Sequence, residues 1–277
     1  MTTETTTGSP SGAWTSSGIE HLHYEVSEGI ATITIDRPEK RNALNYPMYN
    51  GLITLAERAE ADDDVRVVVL TAVPGQFCAG TDLSELRDVD PDNPSADREE
   101  FREGKQWYLA DLSKPVIAAI DGPAAGLGVE LATLSDIRIA STRARFSWIF
   151  VRRGLIPDTG AGTWALPRIV GLQNALHLVM SAEFIDAEYA KSIGFVLDVV
   201  EPDQLMTRVR TLAAEIAAGS PFAVRRAKQL IRDGLSQTRG EHLDVHLQRL
   251  TECQLSADHH EGVQAFLQKR PAVFTGR

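Results

Sequence analysis

The sequence predicts an α/β fold in which strands covered on both faces alternate with helices. Three observations lead there. Val65–Thr71 (VRVVVLT) and Lys114–Ile120 (KPVIAAI) are near-continuous apolar runs, the pattern of strands buried on both sides. Each is followed by a Gly-containing turn and then by helix-forming sequence, the order of a crossover unit and not of a sandwich or bundle. The 277-residue chain is 43% hydrophobic and 24% charged, an ordinary balance for a folded protein with a sizeable core.

Met1–Gly18 is rich in Thr, Ser and Gly and has neither a basic start nor an apolar stretch. It is expected to be a disordered leader, not a signal peptide. His21–Val26 and Ile30–Asp36 are expected strands joined at Ser27-Glu28-Gly29, the second rich in β-branched Ile and Thr. Arg37-Pro38 ends that strand, and Asn45 or Pro47 opens a helix to about Ala61. After Asp62-Asp63-Asp64 come the strand Val65–Thr71, a loop at Pro74–Thr81 and a helix over roughly Arg98–Leu112. Then follow the strand Lys114–Ile120, the small-residue turn Gly122–Gly128, an apolar helix at Val129–Leu134 and short strands at Ile137–Ala140 and Ala144–Ser147.

From Ala175 onward the chain turns helical. Helices are expected at Leu176–Met180, Asp186–Ile193, Gln204–Ala218, Pro221–Arg232, Glu241–Ala257 and Glu261–Lys269, with one strand at Val196–Val200. The expected divisions are a leader at 1–18, a core domain at 19–220 and a C-terminal helical region at 221–277.

Several function classes fall away. A net charge of −10 disfavours nucleic-acid binding through a basic surface. Cys78 and Cys253 form no framework and no CxxC pair, which points to reduced thiols and a cytoplasmic protein. No apolar run is long enough for a membrane span. His242 and His246 share an i, i+4 spacing but lack the glutamate and third ligand of a metal site, so no metal is expected. There is no G-x-S-x-G elbow and no Walker A loop.

Two strand-to-helix turns carry the functional signal. The first is Phe77-Cys78-Ala79-Gly80-Thr81-Asp82-Leu83; the second runs from Gly122 through Gly126-Leu127-Gly128 to Glu130. Each follows a buried strand, so both should emerge at the same end of the sheet, where α/β proteins bind ligands. Small residues let a ligand approach the backbone, and the second turn opens a helix whose first N–H groups are unpaired. A dinucleotide fingerprint fits poorly, because Leu131 stands where a third glycine belongs and Glu130 would repel a pyrophosphate.

Taken together, the motifs resemble the crotonase (enoyl-CoA hydratase/isomerase) superfamily over nearly all of residues 20–275. The resemblance rests on Ile33–Pro38 with Arg41-Asn42-Ala43-Leu44, Phe77–Leu83, Lys114–Gly122, Gly126–Ala132, Asp136–Ala140 and Leu166–Gly171, in that order. It implies a crotonase-type core of ββα units wound in a spiral, with a C-terminal helical trimerisation region that makes homotrimers or dimers of trimers. It also implies an acyl-CoA thioester substrate with no cofactor beyond the CoA moiety. The thioester oxygen would lie between the backbone N–H groups of Thr81 and Leu127, an oxyanion hole for an enolate. Lys40, Arg41, Ala43, Ala79, Gly80, Asp82, Leu83, Gly126 and Phe150 would contact substrate or CoA, and Lys269 could reach a CoA phosphate.

The carboxylates decide the chemistry, because a proton must move as well. By the resemblance, Glu130 matches the first of two hydratase glutamates, while the position of the second holds Phe150. Phe146–Gly154 contains no acid at all. Asp158, in Gly154–Gly160, stands where isomerases and a dehalogenase of the superfamily place a working acid. Trp148, Ile149 and Phe150 would make a dry pocket and raise a carboxylate's pKa. Glu130 and Asp158 are therefore the catalytic candidates, although Glu130 could instead stabilise its helix dipole and Asp158 could be a turn residue. Isomerase-like and hydratase-like chemistry both fit. So do a single-Asp dehalogenase or hydrolase, and a non-catalytic acyl-CoA-binding scaffold.

Overall fold

The computed structural model describes residues 17–84 and 104–277. The leader expected at 1–18 therefore falls almost wholly outside the described residues, as does the first part of the helix expected over Arg98–Leu112.

A six-stranded sheet forms the frame. Strands β1 (Leu22–Ser27), β2 (Ile30–Ile35), β3 (Val67–Ala72), β4 (Val116–Ile120), β6 (Ile137–Ser141) and β9 (Asp198–Val200) lie in the order β1-β2-β3-β4-β6-β9. Only the β1–β2 hairpin is antiparallel; the remaining pairs are parallel. A second, three-stranded sheet orders β5 (Pro123–Ala125), β7 (Arg145–Ser147) and β8 (Ile185–Asp186) as β5-β7-β8.

The apolar runs of β3 and β4 have the cause the sequence suggested. Side chains alternate across a strand, and here both faces are covered. Val67, Val69, Ile117, Ala119 and Ile139 pack with Leu205, Val209 and Ala213 of helix α8 (Leu205–Ala217). On the opposite face, Val68, Leu70, Val116, Ala118 and Ile120 join the main core with α1 (Tyr46–Ala61) and α3 (Leu127–Leu134). Asn45 caps α1 by accepting from the Met48 N–H at 3.0 Å.

Between α1 and α3 runs one described turn of helix, α2 (Tyr108–Asp111). Short helices α4 (Ala161–Trp164) and α5 (Leu166–Val170) follow the 150s loop, and α6 (Leu172–Ser181) and α7 (Ala187–Ser192) precede β9.

The C-terminal helices are α9 (Pro221–Gly234), α10 (Arg239–Gln254) and α11 (Ala257–Gln268). The last two begin earlier than Glu241 and Glu261. Glu241 is the third residue of α10, in a capping box with Thr238, and Ser256 caps α11 by accepting from His259 N–H. A half-buried ion cluster ties α9 to the core: Lys228 reaches Asp136 at 2.7 Å and Arg232 reaches it at 2.6 Å. Lys114, expected to open β4, is instead fully buried, with its ammonium donating to the Ala59 and Asp62 carbonyls. Among the described residues, no helix is long and apolar enough to cross a membrane.

Candidate active site

The two glycine-containing loops meet. The Phe77 and Cys78 N–H groups donate to the Pro123 carbonyl, and Ala125 N–H donates to the Cys78 carbonyl at 3.0 Å. On its other side the first loop is stitched to the stretch before α1. Ala79 N–H donates to Arg41 O, Leu44 N–H to Gly80 O and Asp82 N–H to Leu44 O.

That register fixes the direction of Thr81. Leu44 pairs with it as a parallel bridge and uses the polar groups of residues 80 and 82, so the N–H of Thr81 itself faces the other way. Leu127 is the first residue of α3, where an N–H has no partner within the helix. Among the described residues neither amide donates to any acceptor. The loops also touch at this point: a Cβ on Gly80 would lie 3.4 Å from Leu127 N and 3.0 Å from Ala125 O. Gly80 has φ +111 and Gly126 has φ +54, conformations that favour glycine.

The two candidate carboxylates differ in access. Asp158 is exposed to solvent. Surrounding protein nevertheless desolvates its carboxyl and pushes its pKa up to about 6. Burial raises the pKa of Tyr49 on α1, Cys78 on the first loop and Glu130 on α3, and the charge of Asp158 adds to each shift. Burial pushes the Cys78 thiol up to about 12, so it is no thiolate nucleophile.

Glu130 is fully buried. Its Oε2 accepts from the Thr159 hydroxyl at 2.6 Å and from Gly162 N–H at 3.1 Å. Oε1 has no hydrogen-bond partner among the described residues; it lies beside Gly162, whose missing Cβ would come within 2.7 Å of it. Burial raises this carboxyl to about 7, against the opposing pull of Thr159 and Gly162.

A stability prediction follows from that shift. The unfolded chain ionises Glu130 near its ordinary value, whereas the folded chain resists until about 7. Stability is therefore lost as pH rises through this window. Glu130→Gln removes the titration and keeps an acceptor for both donors. Between pH 5 and pH 8 the wild type is expected to lose about 2 kcal/mol more than the variant, measured by urea unfolding at each pH. An equal loss in both proteins contradicts the assignment.

The other candidates fall into groups. Lys40, Arg41 and Ala79 are exposed on the stitched stretch, and Leu83 is exposed beyond it. The Ala43 carbonyl accepts from Arg37 at 3.1 Å. Asp82 is engaged internally: Oδ2 pairs with Arg37 at 2.9 Å and Oδ1 accepts from Ser84 N–H and Oγ. It locks the loop instead of offering a free carboxylate. Phe150 is buried on the 3-10 turn Ile149–Arg153. Lys269 ends α11 and makes no hydrogen bond to these loops among the described residues.

Sequence reasoning missed Thr159, Gly162, Trp107 and the buried Tyr49–Tyr108 pair, whose rings meet edge-on at 5.9 Å. No local pattern announces them, because each is brought in by tertiary packing.

A spiral of parallel strands with two glycine-containing loops meeting beside it is the architecture of the crotonase class of α/β folds. The family model for enoyl-CoA hydratase/isomerase matches residues 25–277. A 1,2-epoxyphenylacetyl-CoA isomerase from Escherichia coli is 38% identical over 94% of this chain and 100% of its own. A short-chain-enoyl-CoA hydratase from Clostridium acetobutylicum is 37% identical over 91% of this chain and 96% of its own. The crystal structure of an enoyl-CoA hydratase from Bacillus anthracis superposes with a TM-score of 0.88 at 30% identity, covering 93% of this chain and 100% of that one. The chain belongs to the enoyl-CoA hydratase/isomerase family of the crotonase superfamily, and is an enzyme of that family.

Proposed function

We propose that the chain isomerises an enoyl-CoA thioester, with Asp158 as its one accessible base. The observation that carries this reading is the unequal access of the two acids: Asp158 is exposed to solvent, whereas Glu130 is fully buried with its Oε2 held by Thr159 and Gly162. Adding water across a double bond calls for an acid and a base that act together on a water molecule. Moving a double bond needs only one group that takes a proton and returns it.

The step balances simply. Asp158 removes a proton from the γ carbon, and that C–H electron pair becomes the new β,γ double bond. The former α,β pair moves onto the thioester as a dienolate, its oxygen held by the N–H groups of Thr81 and Leu127. Asp158 then gives the same proton to the α carbon. Each amide donor of this kind is worth about 3–4 kcal/mol to the charged intermediate. Phe150, in place of a second acid, keeps the cleft dry.

Lys40 and Arg41, both exposed beside the first loop, suit the phosphates of CoA, and Lys269 is a further candidate for them. No cofactor other than the CoA of the substrate enters the reaction. Assembly as a homotrimer or dimer of trimers suits the C-terminal helices, whose Ile231, Leu235, Leu243 and Leu247 are exposed.

Activity should fall as the medium becomes more acidic. Asp158 works only when ionised, so kcat/KM is expected to drop about tenfold for each unit below about 6. A flat profile from pH 5 to 7 argues against Asp158 as base. The direct test is incubation with a panel of enoyl- and dienoyl-CoA esters in deuterated water. Label appearing at the α or γ carbon with no gain of water supports isomerisation. A hydroxylated product makes the chain a hydratase, and binding without exchange makes it a scaffold.

A further inference from the structure

The turn that carries Asp158 is held from two sides through a single residue, Thr159. Its hydroxyl donates to Glu130 Oε2 at 2.6 Å and accepts from Ala161 N–H at 3.1 Å. Its carbonyl accepts from the indole N–H of Trp107 at 2.9 Å. Its hydroxyl and its carbonyl are thus both committed, and two of the anchors come from sequence-distant elements.

Each anchor is itself fixed. Glu130 sits in the first turn of α3, the helix that begins with Leu127, and takes a second hydrogen bond from Gly162 N–H. Trp107 packs against the main core and meets Trp164 edge-on at 5.2 Å. Trp164 in turn lies 3.9 Å beneath the guanidinium of Arg168.

We infer that Glu130 and Trp107 are positioning residues, clamping Thr159 so that the Asp158 carboxylate is aimed at the carbons next to the thioester. The helix that supplies one oxyanion amide then also fixes the turn that supplies the base. A movement of the turn moves the base relative to the enolate. An error of about 1 Å in such placement costs on the order of a hundredfold in rate.

This inference rests on Asp158 being the base, and the test separates the two. Trp107→Phe keeps the ring and removes the donor. Its kcat is expected to fall about tenfold, with KM within about threefold and the acid limb of kcat/KM raised by about half a unit. Thr159→Val should fall further in the same direction, and Thr159→Ser should recover most of the loss. Glu130→Gln, which still accepts from Thr159 and Gly162, should lose less than about tenfold, whereas a proton carrier would lose on the order of a hundredfold or more.

Rates are normalised to folded protein, so a merely structural role of Trp107 lowers thermal stability and leaves kcat and the acid limb where they were. That outcome overturns the inference, as does Glu130→Gln being as inactive as Asp158→Asn. Wild-type turnover in Asp158→Asn is a different result, which removes the base assignment itself.

Discussion

Asp158→Asn is expected to lower isomerisation by about a thousandfold while CoA-ester affinity changes by less than about threefold. The substitution is nearly isosteric, so the turn from Pro157 to Gly160 keeps its shape. Thr159 still donates to Glu130 and still accepts from Trp107. What disappears is the ability to take a proton. The oxyanion amides remain, which is why some rate over solution should survive and why binding should be spared.

The measurement is single-turnover isomerisation together with exchange of the α and γ protons into deuterated water. Both should fail together, because one group performs both transfers. Loss of isomerisation with exchange intact at one carbon would reveal a second base. The full burial of Glu130 and its hydrogen bonds to Thr159 and Gly162 argue against that outcome. Asp158→Glu provides a graded companion. It keeps the charge but displaces it by about one methylene, and should lose on the order of a hundredfold.

The parts of this site differ in how plainly the sequence displays them. Strands β3 and β4 stand out because burial on both faces leaves a run of Val, Ile and Ala with few polar interruptions. The loops after them stand out because close backbone approach requires Gly80 and Gly128, and a positive φ favours glycine at position 126. Asp158 stands out only through the family resemblance, since Pro157–Gly160 by itself reads as a turn.

Glu130 was legible as a residue and not as a role. An acid in the first turn of a helix suits the dipole whether it faces water or protein. Only the approach of Gly162, where any side chain would strike Oε1, reveals that this one is sealed in. Trp107 and Thr159 are 52 residues apart, beyond any period that helices or strands impose. Helices α4 and α5 and strands β5 and β8 are too short to show a period at all. Helix α10 opens before Glu241 because that glutamate closes a capping box on Thr238, and the sequence alone made it look like the start.

Gly128→Ala is expected to be severely damaging, costing more than about 4 kcal/mol of stability. Gly128 is helical, so its backbone conformation suits alanine, and intrinsic propensity alone would favour the change by about 1 kcal/mol. Sterics decide the outcome instead. The new Cβ would lie 2.1 Å from the Cys78 carbonyl oxygen and 2.8 Å from its carbonyl carbon. Neither atom belongs to a side chain that can swing aside.

Relief requires the first loop to retreat from α3 by roughly an ångström, given ordinary contact distances near 3.5 Å. That retreat breaks the pairing of Cys78 with residues 123 and 125 and draws the Thr81 amide away from the Leu127 amide. Whatever fraction folds should therefore bind the CoA ester yet turn it over on the order of a hundredfold more slowly.

Gly154→Ala is the control, because nothing lies within 4 Å of its Cβ position and only its φ of +70 opposes the change. It should cost about 1 kcal/mol and leave turnover per folded molecule near wild type. Thermal unfolding and rate per folded molecule, measured on both variants, decide the matter. If Gly128→Ala is no worse than Gly154→Ala, the two loops are not held in the contact on which the paired amides depend.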